Sequence, residues 1–293
     1  MKITAILTSH NRREKTLACL QSYFNQALRS PATLEAVLVD DGSSDGTVEA
    51  VRNLGSSVTV VRGAGDLYWA GGMALAEKEA FRRAPDYLLW LNDDVILDRD
   101  AVARLLDVAK TDDSTCVVVG AVRDPFTGET TYSGLRRCDY HPLRYERVEP
   151  VDRPLPVETF HGNVVLVPLA VAVSIGGIDG KFAHGAADYD YGLRATKAGV
   201  INLLAPETVG TCSSDSSYQP WLNLSIPFRE RLRLLLGPKG LPPKSFARYL
   251  RRHGGRAWLI FWLALYVKFA MASLQKAVAR SLRLGSSISK EGE

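Results

Sequence analysis

Tyr87-Leu88-Leu89-Trp90-Leu91-Asn92-Asp93-Asp94-Val95-Ile96 is the stretch whose reading decides the fold. Four apolar residues follow Tyr87 without alternation, the pattern of a strand buried on both faces of a sheet. They give way at once to Asn92, Asp93 and Asp94. In an open α/β sheet, ligands bind in the crevice outside the carboxyl ends of the strands. Two acids at this mouth therefore stand where a diphosphate and a hard divalent cation could meet. Taken alone, the same acids could equally cap a helix.

Outward from this stretch, strand, polar mouth and helix recur. Residues 3–7 read as a first strand and residues 13–26 as the helix after it, with apolar positions at Leu17, Leu20, Tyr23 and Phe24. Residues 34–39 form a second buried strand. It ends in Asp40-Asp41-Gly42-Ser43-Ser44-Asp45-Gly46-Thr47, a turn of glycines and short polar residues in which Asp45 or Thr47 can cap a helix over 48–54. A third strand is expected at 58–61 and a third helix at 71–83, giving a doubly wound, nucleotide-binding layout. The first turn lacks both G-x-G-x-x-G and G-x-x-x-x-G-K, so neither a dinucleotide nor a phosphate loop is favoured. Asp40 or Asp41 could instead accept the imide N–H of a uracil or thymine, with main chain near residues 8–11 pairing to its carbonyls.

Composition sets the outer limits. At 293 residues and 46% hydrophobic content, the chain can bury a core as one large domain or two smaller ones. Its net charge of +4 hides an asymmetry. Residues 221–293 hold fourteen Lys and Arg against three Glu, or +11, leaving −7 for residues 1–220. The tail thus seeks an acidic surface and the body does not. Cys19, Cys116, Cys138 and Cys212 have no paired metal-ligand spacing, so free thiols in a reducing cytoplasm are expected. The apolar run at 3–7 is too short for a signal-peptide core.

Four motifs in order carry a resemblance: T-S-H-N-R after the first strand, V-D-D-G-S-S-D-G-T after the second, L-N-D-D-V, and A-D-Y-D-Y-G-L-R-A near residue 190. Over roughly residues 1–206 the chain resembles the family 2 inverting glycosyltransferases. That implies an α/β GT-A fold, a doubly wound, Rossmann-like mixed sheet. Here it covers residues 1–220, and a basic amphipathic helical extension covers 221–293. The resemblance implies a nucleotide-diphosphosugar donor and a divalent metal, Mg2+ or Mn2+, held by Asp94 with help from Asp93. It places Thr8, Ser9, Asn11, Arg12, Asp40, Asp41, Gly71, Gly72 and Asp93 on the donor side. It makes Asp188 the base that takes the acceptor proton, and sets Trp69, His161, His184 and Asp190 toward the acceptor. His161 reads equally as a hydrogen-bonded structural histidine. Asp190, two positions beyond Asp188 on a helix, reads better as a partner of the helix or of Arg194.

The chain departs from the family pattern in three places. Asn92 takes a position often held by Asp. Trp69 and paired glycines replace a Gly-rich turn bearing an Arg. Cys212, with Asp215 nearby, follows the late strand where relatives often place a His; a thiol is too soft to suit magnesium.

Residues 117–122 read as another strand, 123–156 as a long surface excursion, 164–167 and 200–204 as further strands, and the helix bearing Asp188 begins near Ala187. Beyond Pro220 come basic helices over Phe228–Leu236 and 245–252 and an apolar segment over 257–274. With Lys268 and its basic flanks, that segment fits an interfacial or bundle-packed helix better than a spanning one.

The reading is an inverting, metal-dependent glycosyltransferase using a UDP- or dTDP-sugar and a hydroxyl of a lipid-linked surface glycan. It would work at the cytoplasmic face of an anionic membrane, with a homodimer as the alternative use of its C-terminal helices and with no nucleic-acid partner. A sugar nucleotidyltransferase would need a G-x-G-x-R loop after the first strand, which T-S-H-N-R-R lacks. A non-catalytic, membrane-docked glycan-binding subunit would explain the three departures.

Overall fold

Strand residues alternate between two buried faces in the computed structural model, which describes residues 1–110, 115–214 and 219–288, with side chains as far as residue 274. The chain divides into two compact units, Met1–Asp215 and Ser216–Glu293.

In the first unit, β1 (Lys2–Ser9), α1 (Arg13–Phe24), β2 (Thr33–Asp40), α2 (Thr47–Arg52), β3 (Val58–Arg62), α3 (Tyr68–Phe81) and β4 (Tyr87–Leu91) form the wound half. There follow β5 (Ile96–Leu97), α4 (Ala101–Lys110), β6 (Cys116–Arg123), β7 (Thr130–Tyr132), β8 (Gly134–Arg137), β9 (Tyr145–Arg147), β10 (Leu155–Val157), β11 (Thr159–Phe160), β12 (Val164–Pro168), α5 (Leu169–Ser174), α6 (Ala187–Lys197) and β13 (Ile201–Thr211). The large sheet runs β10-β13-β6-β12-β4-β1-β2-β3, with β5 beside β13 and β7 beside β6. β4, β1, β2 and β3 are parallel, whereas β12 is antiparallel to both neighbours. This is the mixed α/β sheet expected.

The pleat explains the apolar run. Leu89 and Leu91 join Ile3, Ala5 and Leu7 on the face covered by α1 and α4; Leu88 and Trp90 join Ile6 on the face covered by α3 and α6. Both faces are dry, so no polar residue interrupts 88–91. Parallel register sets Ser9 opposite Asp40 and Ile6 opposite Trp90, which brings the polar ends of β1, β2 and β4 to one edge.

Two sequence readings change. The stretch 123–156 is not an irregular excursion: β8 pairs with β9 and β11 in a second, three-stranded sheet, and β7 and β10 extend the large one. Its strands are only three or four residues long and half exposed, too short to print a period on the sequence. The third helix starts at Tyr68 rather than Gly71, because Asp41, far back in sequence, accepts the Tyr68 N–H at 3.0 Å and satisfies the helix start from outside.

The second unit holds α7 (Phe228–Leu236), α8 (Pro243–His253) and α9 (Trp258–Ile288). The sequence set the aromatic stripe of α9 against a headgroup layer or a buried interface. The structure turns Trp262, Tyr266 and Phe269 inward: Trp262 Nε1 donates to the Pro243 carbonyl, Tyr266 OH to the Leu241 carbonyl, and Phe269 packs with Trp221 and Leu235. Aliphatics lie outside instead, with Ile260 69%, Met271 57% and Val267 52% exposed. Gly255–Leu274 is apolar and long enough to cross a membrane, and only 6% of it is buried.

Candidate active site

The crevice is built on turns that lock one another. Asn11, in a left-handed conformation at φ 51°, donates its N–H to Ser43 Oγ at 2.9 Å and accepts the Ser44 N–H at 2.8 Å through Oδ1. Asp45 accepts from the Arg13 and Thr47 N–H groups, and these bonds, that from the Thr47 hydroxyl foremost, hold its carboxyl below the usual range. The loops after β1 and β2 are thus one polar assembly. Ser9 Oγ and Thr16 Oγ1 are 2.7 Å apart within it.

The paired acids of β2 are used differently. Asp41 spends Oδ1 on the Gly65 N–H at 2.8 Å and Oδ2 on that of Tyr68. Among the described residues Asp40 accepts the Ser43 N–H alone, at 3.1 Å through Oδ2, and its Oδ1 is buried with no hydrogen-bond partner. Of the two, Asp40 keeps a free acceptor suited to an imide N–H. Gly72 packs on β1: a Cβ there would stand 2.2 Å from Thr8 Oγ1. A Cβ at Gly71 would stand 3.3 Å from Leu67 Cβ. Thr8 and Gly72 therefore hold α3 against the sheet, while Gly71 lies against Leu67 at the start of the same helix.

Trp90 anchors the end of β4. It is fully buried and makes edge contacts with Trp69, Phe160 and Tyr191, ring centroids 6.0, 6.1 and 4.6 Å away. Beyond it the Asn92 N–H bonds the Asn163 carbonyl at 3.0 Å, and Asn92 Oδ1 accepts Trp69 Nε1–H at 2.8 Å. Arg12 then forks across the acids: Nη1 reaches Asp93 Oδ1 at 2.7 Å and Nη2 reaches Asp94 Oδ2 at 2.6 Å. Burial pushes the Asp93 carboxyl up to about 6; Arg12 opposes that shift and Asp94 adds to it. Cys212, delivered by the long strand β13, sets its Sγ 3.6 Å from Asp94 Oδ1. Burial first and Asp94 second push its thiol up to about 12, so near neutral pH it is an S–H donor to Asp94.

The oxygens of Asp93 and Asp94 suit a hard divalent cation. Asp93 Oδ2 is buried with no hydrogen-bond partner, the mark of an acceptor in wait. Among the described residues no group of three His, Cys, Asp or Glu is gathered to hold a metal, so two carboxylates would share the ion with diphosphate and water. Asp215, the other ligand candidate, lies outside the described residues.

Asp188 stands in the first turn of α6, as the sequence predicts. Its Oδ2 accepts the Gly162 N–H at 3.1 Å and its Oδ1 that of Tyr189 at 2.9 Å. Desolvation nevertheless dominates and pushes the carboxyl up to about 6. Gly162 ties this acid to the rest: a Cβ there would lie 2.7 Å from Trp69 Cζ2 and 3.2 Å from Asp188 Cβ. A continuous path thus runs from Asp188 through Gly162, Trp69 and Asn92 to Asp93 and Asp94.

His161 lies with Nδ1 3.1 Å from the Ser133 carbonyl and Nε2 3.2 Å from the Tyr189 hydroxyl. Burial lowers it to about 4, which leaves a neutral ring satisfied at both nitrogens. Asp190, set toward the acceptor by resemblance, is fully buried and accepts Arg194 Nε at 2.8 Å. It therefore supports α6, because a carboxylate without exposure must be paired. Arg194 also bonds the Ile175 and Gly177 carbonyls, and Glu77 of α3 accepts the Ile178 N–H at 2.6 Å. Burial pushes the Glu77 carboxyl up to about 7. This clasp, which orients the chain entering α6, involves an acid the sequence offered only as one more polar helix residue. His184 lies partly buried on that entering segment.

The family model described as glycosyl transferase family 2 matches residues 4–168. No curated protein matches the chain. Among solved structures, the mannosyltransferase PcManGT from Pyrobaculum calidifontis, in complex with GDP-Man and Mn2+, is 21% identical at TM-score 0.52, the match covering 96% of this chain and 80% of that one. GalNAc-T7 with UDP, GalNAc and Mn2+ is 14% identical at TM-score 0.57, covering 89% and 56%. S. aureus TarS is 14% identical at TM-score 0.53, covering 87% and 44%. The chain thus spans less than two thirds of the last two, and at these identities the likeness is one of fold.

Proposed function

The chain belongs to glycosyl transferase family 2, and from that premise we propose that it transfers a sugar from a UDP- or dTDP-sugar to a hydroxyl of a lipid-linked surface glycan, with inversion. The observation that carries this reading is the path from Asp188 to Asp93 and Asp94. It puts a carboxylate of raised pKa and a pair of acids at a strand mouth on one crevice.

Asp188 takes the proton of the acceptor hydroxyl as its oxygen bonds the anomeric carbon. The bond from that carbon to the diphosphate oxygen breaks on the opposite face, and the nucleoside diphosphate leaves with the electron pair. One displacement gives one inversion. Near neutral pH Asp188 is mostly ionised, as a base must be, yet basic enough to pull. Asp40 Oδ1 takes the imide N–H of the base, and the Asn11 assembly keeps the two loops beside it rigid. Asp94 and Asp93 hold Mg2+ or Mn2+, which when bound neutralises charge growing on the departing diphosphate.

The second unit docks on an anionic lipid surface at the cytoplasmic face. The outer side of α9 is aliphatic, and Lys244, Arg251, Arg256 and Lys268 are exposed on the same unit. Each cation near such a surface contributes on the order of 1 kcal/mol. Held there, the protein would meet a lipid-linked acceptor.

The test is thermal shift with UDP, dTDP and GDP, each with and without Mn2+, followed by a donor screen and assignment of the product anomer by NMR. A metal-dependent rise with UDP or dTDP, and an inverted product, are expected. No metal-dependent shift with any nucleotide would sink the reading.

A further inference from the structure

Arg12 follows the left-handed turn at Asn11 and enters α1 with its guanidinium set across the crevice. Its two terminal nitrogens meet different acids, Asp93 at 2.7 Å and Asp94 at 2.6 Å. One guanidinium gives each of two carboxylates a charge-assisted hydrogen bond, and it fixes both acids. The acids lie deeper than the arginine: the Arg12 side chain is 39% exposed, that of Asp93 5%. Arg12 therefore stands at the mouth, beside the two carboxylates to which the glycosyltransferase reading assigns the metal.

A guanidinium and a divalent cation cannot share these oxygens at full strength. Both are positive, and Asp93 and Asp94 supply only two negative charges between them. Lys15 adds a further positive field at Asp93. A cation arriving alone can reach the free Asp93 Oδ2, yet it must compete with the fork for the charge of both carboxylates and leave Arg12 beside a dication with no anion in return. A cation arriving with a diphosphate meets a different balance, because phosphate oxygens can complete its shell and give Arg12 a new bidentate partner.

We propose that Arg12 is an exchangeable counter-cation that yields Asp93 and Asp94 to the metal when a nucleoside diphosphate takes their place as its anionic partner. Metal loading is thereby made dependent on donor. The proposal rests on the glycosyltransferase reading for the identity of the anion, while the competition between Arg12 and the cation stands on the fork itself. Linkage requires the effect to be reciprocal: nucleotide tightens metal, and metal tightens nucleotide, by the same factor.

The experiment reads Mn2+ binding directly, from the free-ion EPR signal at pH 8. It uses the wild type, Arg12→Gln and Arg12→Lys, each with and without UDP, with chelation by UDP alone subtracted. Asp94→Asn is the control for the site, and melting curves check that each variant folds. The wild type is expected to bind Mn2+ alone weakly and about tenfold more tightly with UDP. Arg12→Gln should bind Mn2+ alone about tenfold more tightly than wild type, with the gain from UDP reduced to what the phosphate oxygens themselves supply. Arg12→Lys, charged but without the fork, should fall between, and it decides the matter if the glutamine variant does not fold. Mn2+ binding to Arg12→Gln that is no tighter than wild type, or that survives Asp94→Asn, overturns the proposal. A failure of the enzymatic reading looks different: UDP, dTDP and GDP then bind neither protein, while the comparison with Mn2+ alone still tests the competition.

Discussion

Replacing Asp188 with Asn separates catalysis from stability. Its carboxyl is raised from 3.8 to about 6, chiefly by desolvation and against two main-chain hydrogen bonds. Because the folded value lies above the unfolded one, stability from this group is fully present below about 4 and is lost as pH rises through 6. At neutral pH the ionised form costs on the order of 3 kcal/mol. Asn removes that cost but turns an N–H toward either Gly162 or Tyr189, losing a hydrogen bond worth about 1 kcal/mol. The net gain is about 1 to 2 kcal/mol, or a rise of several degrees in Tm. Turnover should fall by about 10² to 10⁴, the worth of a positioned base. Wild-type kcat should itself fall about tenfold per pH unit below 6, and the residual rate of the variant should be flat there. The assays are differential scanning calorimetry, UDP binding and a pH–rate profile of donor consumption. A variant that melts lower at pH 7.5 and also loses UDP would refute the reasoning, since Asp188 would then be a structural or donor-facing acid.

Asp94→Ala should abolish metal-stimulated turnover, removing roughly several kcal/mol of leaving-group stabilisation; turnover that persists and ignores EDTA would contradict the assignment. His161 is held neutral, lowered to about 4, so its stabilising contribution is present above about 6.5 and is lost as pH falls toward 4. Since Asp93, Asp188 and Glu77 shift stability in the opposite sense, the difference in Tm between wild type and His161→Gln isolates it. That difference should shrink from pH 7.5 to pH 5, and an unchanged gap would show that the ring does not titrate this way. Ile260→Ser combined with Val267→Ser and Met271→Ser should weaken flotation with anionic liposomes at low salt without lowering Tm. Equal flotation of both proteins would mean that α9 is not the docking face.

The wound half was legible because its signals are local. Its strands are rich in buried aliphatic residues, and each gives way to Asp, Asn, Ser or Gly where the chain must turn. Asp188 at the head of α6 was legible for the same reason. What escaped the sequence was decided by partners far along the chain. The start of α3 depends on Asp41, whose carboxylate arrives from the neighbouring strand. The second small sheet depends on β8 finding β11 and β9, none longer than four residues. The inward turn of Trp262 and Tyr266 depends on carbonyls of Pro243 and Leu241. Helical spacing shows that these rings share a stripe and says nothing about which side is wet.

The departures from the family pattern fit one electrostatic argument. An Asp at position 92 would set a third negative charge beside Asp93 and Asp94, against the single fork of Arg12. Asp93 is already pushed up to about 6, so another acid beside it would raise it further toward its neutral form. Asn92 avoids that charge and offers an acceptor. Trp69 supplies the matching donor in its indole N–H at 2.8 Å. The Asn92–Trp69 pair is therefore a neutral hydrogen bond set beside the two acids. It leaves Arg12 as the cation in direct contact with both acids, which is why the exchange proposed for Arg12 turns on this one side chain.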